Sequence, residues 1–78
     1  MQEREARILI EAGALRGCTS APAPLEPGKW VLLLHLADGR TATLERQRGG
    51  DRVFAKLDSV AEAVKALGIR GLTVKLSF

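Results

Sequence analysis

The sequence predicts an α+β fold in which two helices pack on an antiparallel sheet. Apolar residues recur at helical spacing near the start of the chain and again after residue 58. Two glycine turns, Asp38-Gly39 and Gly49-Gly50, divide the middle into three strand-like runs. The last residues alternate apolar and polar, the period of a half-buried strand. The sheet is therefore expected to hold a three-strand meander, a weak N-terminal strand and a C-terminal strand. With 78 residues the chain is expected to form a single domain spanning 1–78. A domain this small buries only roughly 60% of its unfolded surface, so its core is marginal unless a partner adds to it.

The first helix is expected over 2–12. Ile8, Leu9 and Ala12 form its stripe, extended backwards by Glu5, and Gly13 is its stop. Glu3 and Glu5 suit the positive end of the helix dipole, and Glu3 and Arg7 are spaced for an i,i+4 ion pair. A weak strand follows over 14–20, interrupted by Gly17. All three prolines fall in 21–28, which reads as an extended loop without ladder hydrogen bonds, too short to separate two domains.

The meander strands are expected over 30–36, 40–47 and 52–57, joined by two-residue turns that set their register. In that register Leu36 opposes Thr41, Leu34 opposes Thr43 and Glu45 opposes Phe54. One face then carries Val31, Leu33, Ala42, Leu44, Val53, Ala55 and Leu57, with His35 near its edge, and reads as the core face. The other carries Trp30, Leu32, Leu34, Leu36 and Phe54 beside Thr41, Thr43, Glu45, Gln47, Arg52 and Lys56. A second helix opens at Asp58 or Ser59, with Ser59 and Glu62 spaced for a capping box and Val60, Ala63, Val64 and Leu67 as its stripe before Gly68. Leu72, Val74, Leu76 and Phe78 mark the last strand. It has two places open to it, parallel to the third meander strand or antiparallel to the weak first strand, and the greater frequency of antiparallel pairs favours the second.

Trp30, Leu32, Leu34, Leu36 and Phe54 would together leave roughly 600 Å² of apolar surface uncovered, the upper end for a soluble monomer. One of the helices could cover it, or a second copy of the chain could. The first helix has only three good apolar positions, so a homodimer through these five residues is the expectation.

The formal charge is +3 and the isoelectric point about 9.6. Arg46, Arg48 and Arg52 surround the second turn, with Arg40 and Lys56 further along the ribbon. Such a ribbon can meet DNA phosphates or an acidic partner protein. The same charges also serve solubility and edge protection. His35 lacks a second histidine and reads as structural. Cys18 is the one cysteine, so an internal disulfide is excluded and a reducing cytoplasm is the expected compartment. No catalytic residues, metal ligands, cofactor or small-molecule substrate are expected. Met1 is followed by Gln-Glu-Arg-Glu rather than a basic stretch and an apolar block, so no secretory signal is expected, and no apolar run approaches the roughly 18 residues of a membrane span, so no membrane association is expected.

Parts of the chain resemble a known family. Leu9-Ile10-Glu11-Ala12-Gly13-Ala14-Leu15-Arg16, then Trp30 and Leu32, then Leu44 and the run from Gln47-Arg48-Gly49-Gly50-Asp51-Arg52 to Val53-Phe54-Ala55-Lys56-Leu57-Asp58, then Leu67-Gly68-Ile69, resemble the small ParC-like partition-associated proteins. The proline-rich loop at 22–27 and Asp38-Gly39 depart from that pattern. The resemblance implies a non-enzymatic role in segregation or maintenance of a bacterial plasmid or integrating conjugative element, alongside a partition protein. It brings no catalytic or ligand-binding residues. Together these readings predict a homodimeric interaction scaffold, or alternatively a sequence-tolerant DNA-binding regulator that uses the arginine ribbon.

Overall fold

The computed structural model describes residues 1–77. Its elements are α1 (Glu3–Glu11), β1 (Leu15–Pro22), β2 (Trp30–Leu36), β3 (Thr41–Thr43), α2 (Leu57–Leu67) and β4 (Thr73–Val74). The fold is α+β, as the periodicities predict. The sheet is mixed rather than purely antiparallel, with strand order β3-β2-β1-β4. β1–β2 and β2–β3 are antiparallel, whereas β4 runs parallel to β1, pairing Thr19 with Thr73 and Ser20 with Val74. The expected neighbour of the last strand is thus right and its direction reversed. Phe78, assigned to that strand from its alternation, lies outside the described residues.

The proline stretch is the loop of the β1–β2 hairpin. The ladder runs up to Pro22 opposite Trp30, and the Ala23 N–H donates to the Lys29 carbonyl at 2.9 Å. The expectation of a segment without ladder bonds therefore holds only for the loop beyond Ala23.

The two glycine turns differ from expectation in one consequential way. The Gly39 N–H donates to the Leu36 carbonyl at 3.0 Å and the Leu36 N–H donates to the Arg40 carbonyl at 2.8 Å. This makes a three-residue loop, Ala37-Asp38-Gly39, closed by Gly39 at φ +94°. Gln47-Arg48-Gly49 repeats the geometry: the Gly49 N–H donates to the Arg46 carbonyl at 3.0 Å, the Arg46 N–H donates to the Gly50 carbonyl at 2.9 Å, and Gly49 has φ +90°. At the first turn the one extra loop residue shifts the register by one; at the second the loop also begins earlier in the chain, and the register shifts by three. An odd shift exchanges the faces of a strand. Leu34 therefore opposes Ala42, not Thr43, and His35 opposes Thr41. Glu45 bridges Asp51 rather than Phe54, and Phe54 instead bridges Trp30 at the start of β2, through hydrogen bonds of 2.9 and 2.8 Å.

The corrected register sorts the side chains cleanly. Leu32, Leu34 and Leu44 are fully buried with Cys18, Phe54 and Ala6, and Trp30 packs partly buried against them. Both helices cover this face: Ala6 and Ile10 of α1, and Val60, Val64 and Leu67 of α2, belong to the same cluster. Of the five residues expected to form a dimer interface, Leu32, Leu34 and Phe54 lie in this cluster, Trp30 packs partly buried against it and Leu36 is buried outside it, so they do not form an uncovered apolar face for a second copy. The face expected to be the core is divided. Ala42 and Leu44 turn toward the helices, Ala55 is exposed, and Val31, Leu33 and Val53 form a smaller cluster with Ala21 and Ala23 on the opposite side.

The helices keep close to their expected spans, but their details change. Ile8 is exposed and Ala6 and Ile10 face inward, so the buried stripe of α1 is rotated from the expected one. A small residue at position 6 lets the helix backbone approach the sheet. α2 starts at Leu57 because the Val60 N–H already bonds to the Lys56 carbonyl at 3.4 Å, which leaves Ser59 and Glu62 inside the helix and not at its cap. Its stripe is as expected, and it ends at Gly68. No helix among the described residues is long and apolar enough to cross a membrane.

Candidate nucleic-acid interface

A shallow groove opens between the first turns of α1 and the hairpin that follows β3. Its position is set by the way the start of the chain is stitched to the sheet. The Met1 ammonium donates to the Thr43 carbonyl at 2.9 Å and pairs with Glu45 at 2.8 Å. The Glu45 N–H returns a bond to the Met1 carbonyl at 2.7 Å, and the Gln2 side-chain amide donates to the Gln47 carbonyl at 3.1 Å. These contacts bring Arg4 and Arg7 of α1 beside Arg46 and Arg52 of the hairpin.

Both carboxylates of the groove are already engaged. Glu45 holds the Met1 ammonium, and Glu3 holds Arg7 at 2.9 Å, while Arg7 also donates to the Ala66 carbonyl of α2 at 3.1 Å. Arg7 therefore ties the helices together. Arg4, Arg46 and Arg52 have no ion-pair partner among the described residues. The Arg46 guanidinium lies across the hairpin, with one nitrogen 2.9 Å from where a Cβ on Gly50 would sit, so a side chain there would displace the end of Arg46. The Arg52 guanidinium stacks on the Phe54 ring at 4.8 Å, which orients its planar fork. Three guanidinium groups therefore line one groove, and each can donate two parallel hydrogen bonds to an oxyanion.

The five cations singled out in the sequence are thus separated. Arg46 and Arg52 line the groove. Arg48 sits exposed at the tip of the same hairpin, and Lys56 is exposed just before α2. Arg40 belongs to the other hairpin and is paired with Asp38 at 2.7 Å. Arg4 and Arg7 were not distinguishable from helix-surface charge. Nothing local in the sequence says that the first helix abuts a hairpin more than forty residues away.

The Asp38–Arg40 pair carries a pH signature. The Arg40 backbone N–H, bonded to Asp38 at 3.0 Å, holds the Asp38 carboxyl below its ordinary value, and the Arg40 guanidinium lowers it further. A carboxylate with a lowered folded-state value stabilises the fold above the unfolded carboxylate range and loses that effect as pH falls through the folded value. Asp38→Ala is therefore expected to lower the thermal midpoint at neutral pH, with the gap to the parent narrowing below about pH 3. Thermal melts across pH check this, and a gap that widens in acid overturns it.

His35 faces away from the helices, not toward a core. One ring nitrogen, Nε2, lies 2.7 Å from Thr19 Oγ1 and the other, Nδ1, 3.2 Å from Thr41 Oγ1. Cys18 is buried, burial pushes its thiol pKa up, and its Sγ donates to the Gly71 carbonyl at 3.3 Å. Comparison of the chain with protein-family models, curated proteins and solved structures gave no match.

Proposed function

We propose that this chain is a non-enzymatic accessory protein of a bacterial plasmid or mobile-element partition system, acting in the cytoplasm by holding a DNA phosphate backbone in the arginine groove. The observation that carries the binding mode is the convergence of Arg4, Arg46 and Arg52 on one groove whose two carboxylates are both occupied. The partition context rests on the sequence resemblance over 9–16, 44–58 and 67–69. With Leu32, Leu34 and Phe54 buried in the cluster that the helices cover, Trp30 packed partly buried against it and Leu36 also buried, the arginine hairpin is the binding feature that supports this reading. The non-enzymatic reading is supported by the state of the reactive side chains: both nitrogens of His35 are engaged by threonine hydroxyls, and the Cys18 thiol is buried and un-ionised at neutral pH.

Three phosphate contacts give a defined salt dependence. Plotted on logarithmic axes, affinity for duplex DNA is expected to fall with salt at a slope of about −3, or roughly 40-fold between about 50 and about 200 mM. Fluorescence anisotropy with duplexes of several unrelated sequences measures this, and the slope is expected to be the same for each. Failure to bind duplex at about 50 mM salt, with capture of an acidic partition protein instead, overturns DNA as the ligand.

A further inference from the structure

We infer that a second cleft, lined by Arg16, Gly17, Thr19, His35, Thr41 and Arg70, binds a phosphate group. It shares no residue with the arginine groove. Three features of the backbone build it.

The first is a β-bulge. The β1–β2 register shifts between Leu15 and Gly17, leaving Arg16 without a partner residue. The irregularity lets Leu15 turn inward, where it packs against the core, while Arg16 stays exposed at the cleft. Bulges re-aim side chains in this way beside binding sites.

The second is Gly17 itself. Glycine within a strand weakens it and is usually required by a left-handed φ or a close neighbour. Neither applies here. Gly17 is not among the glycines of positive φ, and a Cβ added to it would meet nothing within 4 Å. Gly17 pairs with His35, so the consequence of its missing side chain is an open floor beside the imidazole.

The third is the hydrogen-bonded row across three strands. His35 lies between the Thr19 and Thr41 hydroxyls at 2.7 and 3.2 Å: the N–H of a neutral imidazole donates to one hydroxyl, which keeps its own O–H to donate to a ligand, while the other nitrogen accepts from the second hydroxyl. Arg70, from the segment after α2, supplies a second guanidinium. Among the described residues no carboxylate lines the cleft, and neither Arg16 nor Arg70 has an ion-pair partner. Two unpaired guanidinium groups and a fixed hydroxyl donor lining one cleft suit an oxyanion with several acceptor atoms and a charge near −2, which is a phosphate monoester or free phosphate.

Inorganic phosphate is the probe. Titrated into the isotopically labelled protein, it is expected to shift the backbone amide resonances of Gly17, Thr19, Thr41 and Arg70. Arg16→Ala and Arg70→Ala are each expected to weaken binding about tenfold. Both side chains are exposed, so well-dispersed spectra should persist in the variants. Gly17→Glu supplies an independent check, since its backbone and surroundings accept a side chain while the added carboxylate opposes the anion. A 5′-phosphorylated oligonucleotide and a nucleoside monophosphate then separate a nucleic-acid end from a free nucleotide as the source, according to which displaces inorganic phosphate. Phosphate shifts confined to the groove of Arg4, Arg46 and Arg52, or cleft shifts unchanged in all three variants, overturn the proposal.

Discussion

Leu34→Ala is expected to lower the unfolding free energy by about 3–4 kcal/mol. Leu34 is fully buried in the centre of the cluster that joins β2 to both helices, so truncation leaves a cavity that the two layers cannot close. A chain of 78 residues has a total stability of about 4–12 kcal/mol, so this single change consumes a large share of it. Urea unfolding followed by the fluorescence of Trp30, the one tryptophan, measures the loss, because that ring packs against the same cluster. The experiment also separates a core from an interface. If Leu34 is interior, the urea midpoint is independent of protein concentration; if it meets a second copy, the midpoint rises with concentration. Leu33→Ala, one residue away on the opposite face and half-buried, is expected to cost about 1 kcal/mol. A loss below about 1 kcal/mol at Leu34, or a midpoint that moves with concentration, contradicts this account of the core.

The same residues show what could be read from sequence and what could not. The second helix was legible because Val60, Val64 and Leu67 recur on one helical face and all three are buried. The α+β class followed from the change of period along the chain. The faces of the meander did not follow, because they depend on whether the loop after Leu36 has two residues or three. Asp38-Gly39 fits both, as the central pair of a two-residue turn or as the last two residues of a three-residue loop with Gly39 left-handed. One choice sets Leu34 against Thr43 and leaves a half-polar face that invites a partner. The other sets it against Ala42 and makes a dry face for the helices. The direction of β4 was hidden for a different reason. Only Thr73 and Val74 pair, and two residues carry too little pattern to reveal orientation. For the arginine groove, sequence proximity gathered Arg46, Arg48 and Arg52, but the Met1–Glu45 tie that delivers Arg4 joins residues far apart in the chain.

That regrouping yields the largest expected effect on binding. A variant with Arg4→Ala, Arg46→Ala and Arg52→Ala is expected to bind duplex DNA a few hundred-fold more weakly at about 0.1 M salt, since each lost phosphate contact removes about 0.9 of a counterion and hence about a factor of eight. The salt slope should fall by about 3. The fold should survive: Arg4 and Arg46 make no ion pair among the described residues, and losing the Arg52–Phe54 stack costs about 0.5–1 kcal/mol. The decisive comparison is with Arg40→Ala together with Lys56→Ala. These remove two charges that sequence alone places on the same ribbon, but Arg40 is paired with Asp38 and neither residue lines the groove. A diffuse basic surface would lose affinity in proportion to charge whichever arginines were removed. A groove that seats a phosphate backbone loses it only for Arg4, Arg46 and Arg52, and equal effects per charge in the two sets would show that no such groove operates.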